Sequence, residues 1–418
     1  MNHFKRFFLY GVGTLGARLI NFIIFPLFTF YLTPEELGAY DLTLTLSFVF
    51  VSIVSLQVGD AAYRFILKKE NYDPIIIISN VYAFLMISAF ICSVLVVLIL
   101  FLIEMNNIFL IVLVLLTCLM LNVLRQIIRG LGDVKLFAIS GIVYSFSFLA
   151  FNFIFLYCSN LKLEGVLLSF TLANVSSILI ILLGNRRTTT IELKGIDIKV
   201  IKKLISFSLP LVPNHISWWL INAANRFVLL FYVGVEMVGL YAVAAKFAAV
   251  MLVFNGLFAL VWQDKVLIDD YESKSEYSSN LRNYVYFQLG IVCVFLFCSQ
   301  FVYAYFIGEQ FSLSQKYIPF LLIAAFFSSL SSFYGAILLK LEDTKAIFKS
   351  SLFAGGGSIV AVIILVQNLG VLGAAIAEVL GFFIMALLRH WRLRHEIDIS
   401  LFQLGLVISS ILLMFFFI

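Results

Sequence analysis

Long apolar runs follow one another along almost the whole of this 418-residue chain. Each can cross a bilayer as a helix, which requires about 20 apolar residues. They lie near 9–31, 37–61, 75–103, 108–128, 136–158, 165–184, 204–232, 237–262, 284–306, 317–339, 350–367 and 371–391, with a shorter last run at 400–418. Only 12% of the residues are charged, against about 25% in soluble domains. The chain is therefore predicted to be an all-α polytopic membrane protein.

The basic residues are distributed unevenly between the loops on the two sides of these helices. Of the 28 lysines and arginines, only Lys162 and Lys316 fall in one alternate set of loops. Arg18, Arg226 and Lys246 fall within spans. All the others lie in the opposite set of loops, which the positive-inside rule places in the cytoplasm. The pattern predicts a multi-pass protein with its N-terminus in the cytoplasm.

Two stretches in the first half of the chain recur in the second half. FYLTPEELGAYDL at 30–42 matches FYVGVEMVGLYAV at 231–243, and RGLGDVKLFAIS at 129–140 matches LKLEDTKAIFKS at 339–350. The members of each pair fall at equivalent loops of two six-helix sets. Because six is even, both sets enter the membrane in the same direction. The sequence thus predicts two parallel repeats, whose two lobes would rock about a central cavity in alternating access.

The repeats also set the predicted domain boundaries. The N-terminal six-helix lobe is expected over 1–184, a cytoplasmic linker over 185–203, the C-terminal six-helix lobe over 204–391 and an accessory span over 392–418. Chance similarity between apolar segments is the alternative to duplication. Loop residues that match in order at two places favour duplication.

Few residues in this sequence suit enzyme chemistry or a bound cofactor. GVGTLG at 11–16 has the spacing of a dinucleotide-binding loop, but it opens a predicted transmembrane helix and follows no strand. The histidines and cysteines have no metal-ligand spacing. We therefore expect a protein that is not an enzyme, carries no cofactor or metal and binds no nucleic acid.

Polar and cationic residues interrupt the apolar spans at a few positions. A charge at the bilayer centre costs roughly 2.5–3.5 kcal/mol, so such residues usually face a cavity or a partner. The candidates for binding a substrate are Arg18, Asn21, His215, Trp218, Asn222, Asn225, Arg226 and Lys246. Their cations suit an anion, and guanidinium groups suit phosphate in particular. Snorkelling to the membrane surface or structural ion pairing is the alternative.

Three acidic residues lie in or at the ends of predicted spans. Asp41 and Asp60 are near the two ends of the second span, and Glu378 lies deeper in the twelfth. Each is a candidate either for an ion pair with one of the cations or for coupling transport to H⁺ or Na⁺. Pairing is the preferred interpretation for Glu378.

Two long stretches resemble the bacterial polysaccharide flippases, which belong to the superfamily of multidrug, oligosaccharidyl-lipid and polysaccharide exporters. The stretches are FPLFTFYLTPEELGAYDL and SLPLVPNHISWWLINAANRFVLLFYVGVEMVGLYAVAAKF. The resemblance implies a V-shaped pair of six-helix lobes in the bacterial cytoplasmic membrane. It also implies that an undecaprenyl-diphosphate-linked sugar unit crosses from the inner to the outer leaflet, with cavity cations such as Arg18, Arg226 and Lys246 receiving the head group.

The same resemblance implies membrane lipid, a polysaccharide polymerase and chain-length machinery as partners. Members often carry an acid before Arg-Phe in helix 7, where this chain has Asn225. The thirteenth apolar run also departs from a twelve-helix plan. These departures leave the coupling ion open.

Two other functions remain as alternatives at this point. A cation-coupled multidrug exporter of the same superfamily would have an acid-rich, apolar cavity, whereas the spans of this chain hold more cations than deep acids. A membrane polymerase or glycosyltransferase would need a sizeable catalytic loop. The predicted outer loops are short, and the inner ones contain no Asp-x-Asp motif.

Overall fold

The computed structural model describes residues 24–68, 72–102, 107–209, 212, 224–268, 274–341 and 343–396. Within these ranges the chain is helical, and no β-strand occurs. The helices are α1 (Phe25–Tyr31), α2 (Pro34–Ser55), α3 (Val58–Lys68), α4 (Pro74–Leu102), α5 (Ile108–Gly130), α6 (Val134–Asn152), α7 (Lys162–Gly184), α8 (Ile198–Ser208), α9 (224–232), α10 (Val235–Ile268), α11 (Lys274–Phe306), α12 (Ile318–Lys340), α13 (Thr344–Leu369) and α14 (Val371–Arg392).

Ten of the described segments are long and apolar enough to cross a membrane. They correspond to the predicted spans two to six and eight to twelve. The predicted spans at 9–31 and 204–232 lie in large part outside the described residues, and the run at 400–418 lies wholly outside them. The prediction of an all-α polytopic membrane protein is confirmed.

The described residues form two compact units. The first contains residues 24–32 and 40–212, and the second contains 33–39 and 224–396. In the first unit α7 packs along α5 and α6, and α3 packs along α5. In the second unit α12 is the most enclosed helix and packs against α10 and α14, while α13 packs along α14.

The predicted second span, 37–61, is interrupted near its C-terminal end. Leu56 and Gln57 have φ angles of 44° and 58°, and they separate α2 from α3. The Oγ of Ser55 accepts a hydrogen bond from the backbone N–H of Gln57 at 3.1 Å, which helps to hold this left-handed turn. Asp60 consequently falls in the first turn of a separate helix, where the helix dipole favours a negative charge.

The segment predicted as a cytoplasmic linker, 185–203, is held on α4 by a buried amide. Asn80 is fully buried and donates from Nδ2 to the carbonyl of Gly195 at 2.8 Å. Its Oδ1 accepts from the backbone N–H of Asp197, also at 2.8 Å. This segment therefore packs as part of the first unit and does not run freely through solvent.

The repeated stretch places a glycine at the same position in each copy, Gly38 in α2 and Gly239 in α10. Residues 33–39 group with the second unit, so both glycines lie there. A β-carbon on Gly38 would overlap the carbonyl oxygen of Val235, and one on Gly239 would overlap that of Pro34. Pro34 and Val235 are themselves matching positions, so the contact is reciprocal, as at a two-fold interface. Only glycine fits at its centre.

Replacing Gly239 by alanine should lower the free energy of unfolding by about 1–3 kcal/mol, because a backbone carbonyl blocks the added methyl group. Thermal unfolding of the purified protein in detergent measures this effect. Gly256→Ala is the matched control on the same helix, since a β-carbon there has no neighbour within 4 Å among the described residues. Equal stability of the two variants would contradict the close-contact interpretation.

Candidate functional site

The structure describes six of the residues proposed from the sequence for binding or coupling. They are Asp41, Asp60, Asn225, Arg226, Lys246 and Glu378. Arg18, Asn21, His215, Trp218 and Asn222 lie outside the described residues, so their proposed roles stay predictions.

A polar cluster in the second unit joins three helices. Asn225 of α9 is fully buried, and its Nδ2 donates to the carbonyl of Ala374 in α14 at 3.3 Å and to the Oη of Tyr241 in α10 at 3.5 Å. The hydroxyl of Tyr241 donates to Oε2 of Glu378 in α14. We call Asn225, Arg226, Tyr241 and Glu378 the Glu378 cluster.

Arg226 adds a cation to this cluster. Its Cζ lies 5.4 Å from the ring centroid of Tyr241, within cation–π range. Its charge also interacts favourably with Glu378. An acid and a cation together inside a membrane span are costly unless they pair or serve transport. The structure therefore brings Glu378 together with Arg226, one of the cations proposed from the sequence as its pairing partner.

One atom of the cluster has an unused hydrogen-bonding capacity. The Oδ1 of Asn225 is buried and has no hydrogen-bond partner among the described residues. It is an amide oxygen on a side chain that packs against Tyr241, the partner of the Glu378 carboxylate. Amide and carboxylate oxygens are the ligands that hard cations prefer. The cluster can therefore hold a proton on Glu378, and Asn225 Oδ1 and the Glu378 carboxylate are oxygens of the type that bind a small cation.

The sequence matches a family model described as polysaccharide biosynthesis protein over residues 4–262, more than half of the chain. The protein belongs to this family. No match was found among curated protein sequences. The predicted resemblance to the polysaccharide flippases is confirmed at the level of the family.

Solved structures of membrane transporters share the fold. A lipid II flippase MurJ in an inward closed conformation aligns with a TM-score of 0.75 and 15% identity, covering 98% of this chain and 92% of that one. An inward-facing multidrug resistance MATE family transporter of the MOP superfamily aligns with a TM-score of 0.71 and 17% identity, covering 91% of this chain and 94% of that one. A MOP superfamily transporter from Pyrococcus furiosus aligns with a TM-score of 0.61 and 17% identity, covering 93% of each chain. At these identities the likeness shows the fold alone.

The other proposed acids of this polysaccharide biosynthesis protein lie in the first unit. Asp41 is 6% exposed on α2. The Oδ1 of Asp60 accepts from Nε2 of Gln126 at 2.5 Å, and Oε1 of Gln126 accepts from Nη1 of Arg129 at 2.9 Å. Asp60 therefore belongs to a polar chain that ties α3 to α5.

Lys246 lies on α10, five residues beyond Tyr241. This spacing is about 140° around the helix axis and about 7.5 Å along it. The lysine is half-buried. Lys246 therefore projects from a different face of α10 than Tyr241.

Tyr241 was not among the candidate residues proposed from the sequence. The internal repeat contained the signal, because Tyr241 matches Tyr40 in the two copies of the repeated stretch. Both tyrosines are buried, with exposed fractions of 0% and 5%. A polar aromatic residue retained at the same place in both repeats was sufficient reason to consider it.

Proposed function

We propose that this protein flips an undecaprenyl-diphosphate-linked oligosaccharide from the cytoplasmic to the outer leaflet for polysaccharide biosynthesis, by alternating access of its two repeats. The observation that carries the proposal is the match to the polysaccharide biosynthesis family over 4–262. Ten membrane-crossing segments with a transporter fold support it. The proposed setting is the bacterial cytoplasmic membrane, with the N-terminus inside.

The physical demand of this function is a protected route for a charged head group. A diphosphate and its sugars cannot enter hydrocarbon without polar partners, while the polyprenyl tail can stay in lipid. Arg226 is proposed to take part in binding the diphosphate, together with Arg18 and Lys246. The Glu378 cluster is proposed to bind the coupling ion, either H⁺ or Na⁺, because its acid and its unused amide oxygen belong to one connected group of side chains.

The first test is to deplete the protein in cells that lack redundant flippases and to ask which leaflet holds the lipid-linked sugar unit. Accumulation on the cytoplasmic face with loss of surface polymer supports flipping. Unchanged sidedness with normal polymer would refute it. Capture of a polymerase or chain-length protein by the intact protein in membranes would test the proposed partners.

Arg226→Gln should abolish export of the sugar unit in the same assay while the protein still inserts into the membrane. The side chain keeps a hydrogen-bonding amide but loses the charge that attracts phosphate. Arg282→Gln on α11 is the control for loss of one positive charge in the same unit. Normal export by the Arg226 variant would remove this residue from the proposed site.

A cation-coupled multidrug exporter is the second candidate function. The observation that favours it is the carboxylate of Glu378 inside a helix bundle whose fold resembles a multidrug transporter. It predicts gradient-driven efflux of lipophilic cations and unaltered lipid-linked sugars after depletion. The flippase proposal predicts the reverse pair of results. A catalytic role as polymerase or glycosyltransferase would require polymer formation by the purified protein alone.

A further inference from the structure

One arginine of the first unit, Arg125, lacks among the described residues the hydrogen-bond acceptors that a buried cation normally has. Arg125 lies in α5, five residues before the helix ends at Gly130. Its Nε and Nη2 are buried and have no hydrogen-bond partner among the described residues. The residue as a whole is half-buried. The charge pattern of the sequence had placed this residue in an inner loop.

The surroundings of Arg125 are aromatic. Its Cζ lies 5.8 Å from the ring centroid of Phe137 and 6.0 Å from that of Tyr144, both on α6. Arg129, one turn further along α5, lies 5.9 Å from the same Phe137 ring. Two guanidinium groups therefore flank one ring, and Arg129 already donates to Gln126. The aromatic rings offer no hydrogen-bond acceptor to Nε and Nη2 in the plane of the guanidinium group, so both nitrogens stay unbonded among the described residues.

Arg389 in the second unit is the informative comparison. It is 4% exposed, and each of its three nitrogens donates to a serine oxygen. A buried arginine with a structural role thus has its donors satisfied in this protein. Leaving donors of a charged group unsatisfied costs several kcal/mol. The fold would tolerate this at Arg125 if the missing acceptor arrives with a ligand.

We propose that Arg125 binds a phosphate group of the lipid-linked substrate in the first unit. This inference rests on the proposed function. Guanidinium pairs with phosphate through two parallel hydrogen bonds, which two adjacent free nitrogens can supply. The position is about 7.5 Å from the end of α5, the end that the proposed orientation places at the inner leaflet. A substrate entering from that leaflet therefore meets Arg125 early.

The test compares Arg125→Met with Arg187→Met, which removes one charge from the exposed part of the same unit. Binding of undecaprenyl diphosphate, inorganic diphosphate and phosphatidylglycerol is measured on each purified full-length protein in detergent. Thermal unfolding is measured without ligand. Flipping of a lipid-linked sugar by the wild type is followed in proteoliposomes.

The Arg125 variant should bind undecaprenyl diphosphate about ten- to a hundredfold more weakly, since a charged hydrogen-bonded contact is lost. Its melting temperature without ligand should not fall, because an apolar side chain replaces an unsatisfied cation. Arg187→Met should match the wild type in both. Arg125→Lys, which keeps the charge, should recover part of the affinity.

Unchanged binding by Arg125→Met would overturn the inference, and so would a lowered melting temperature or failure to fold, which would make the residue structural. Equal weakening for phosphatidylglycerol would assign the site to bulk lipid and overturn it as well. A wild type that flips the substrate, with a variant that binds normally, would leave the proposed function intact. A wild type that neither binds nor flips would refute both.

Discussion

Arg389→Met should lower the free energy of unfolding of the second unit by about 3 kcal/mol, the largest stability effect that we expect from one substitution. The guanidinium donates to Oγ of Ser350 at 3.1 Å, to the carbonyl of Ser331 at 2.8 Å and to Oγ of Ser351 at 3.0 Å. It thereby joins α14 to both α12 and α13. Each such charge-assisted hydrogen bond contributes about 1.5–3 kcal/mol. The variant no longer has the cost of burying a cation, and this gain offsets part of the loss.

The measurement is thermal unfolding in detergent, with Arg392→Met as the control. Arg392 lies one turn away, is 61% exposed and makes a 2.6 Å salt bridge to Asp343. Exposed pairs contribute about 0–1 kcal/mol. The control should therefore melt close to the wild type, although the pKa of Asp343, held low by its hydrogen bond from Arg392, should rise. Equal melting of the two variants would contradict the anchoring role of Arg389.

Ten of the thirteen predicted spans correspond to described membrane-crossing segments, and they could be predicted because each depends on local apolar length. The uneven distribution of lysine and arginine between the loops could also be read directly from the sequence. The break at Leu56 and Gln57 could not be predicted, since neither residue signals a left-handed backbone. The charge pattern assigned Arg125 and Arg389 to loops, although the predicted spans 108–128 and 371–391 contain them, and the structure places both in membrane-spanning helices. Their roles depend on which acceptors lie nearby, and hydropathy does not contain that information.

Three of the four residues of the Glu378 cluster were proposed from the sequence, whereas Tyr241 and the arrangement of the four were not. Asn225 and Glu378 lie 153 positions apart in the sequence, and their connection through Tyr241 requires α9, α10 and α14 to pack together. Asn225 alone had made an ion-coupling role at its own position doubtful, because the resemblance implies an acid there. The structure places the acid of Glu378 from another helix in the same cluster.

Glu378→Gln should reduce gradient-driven transport by about 5- to 150-fold. This is the fold-change that corresponds to the typical coupling free energy between two binding sites, about 1–3 kcal/mol. Glutamine keeps the shape and can still meet the hydroxyl of Tyr241, but it cannot release a proton or balance a bound cation. The measurement is flipping in proteoliposomes with and without imposed H⁺ and Na⁺ gradients. The variant should lose the response to the gradient and retain slow downhill movement.

The competing interpretation of Glu378 is a structural ion pair with Arg226, and the two make opposite predictions. If pairing alone matters, the Arg226→Gln, Glu378→Gln double variant should recover the stability lost in each single variant, and the gradient should still drive transport. Glu236→Gln, an exposed acid at the start of α10, controls for net charge and should leave transport unchanged. An unaltered gradient response in Glu378→Gln would remove the cluster from coupling. The unused oxygen of Asn225 would then need another ligand.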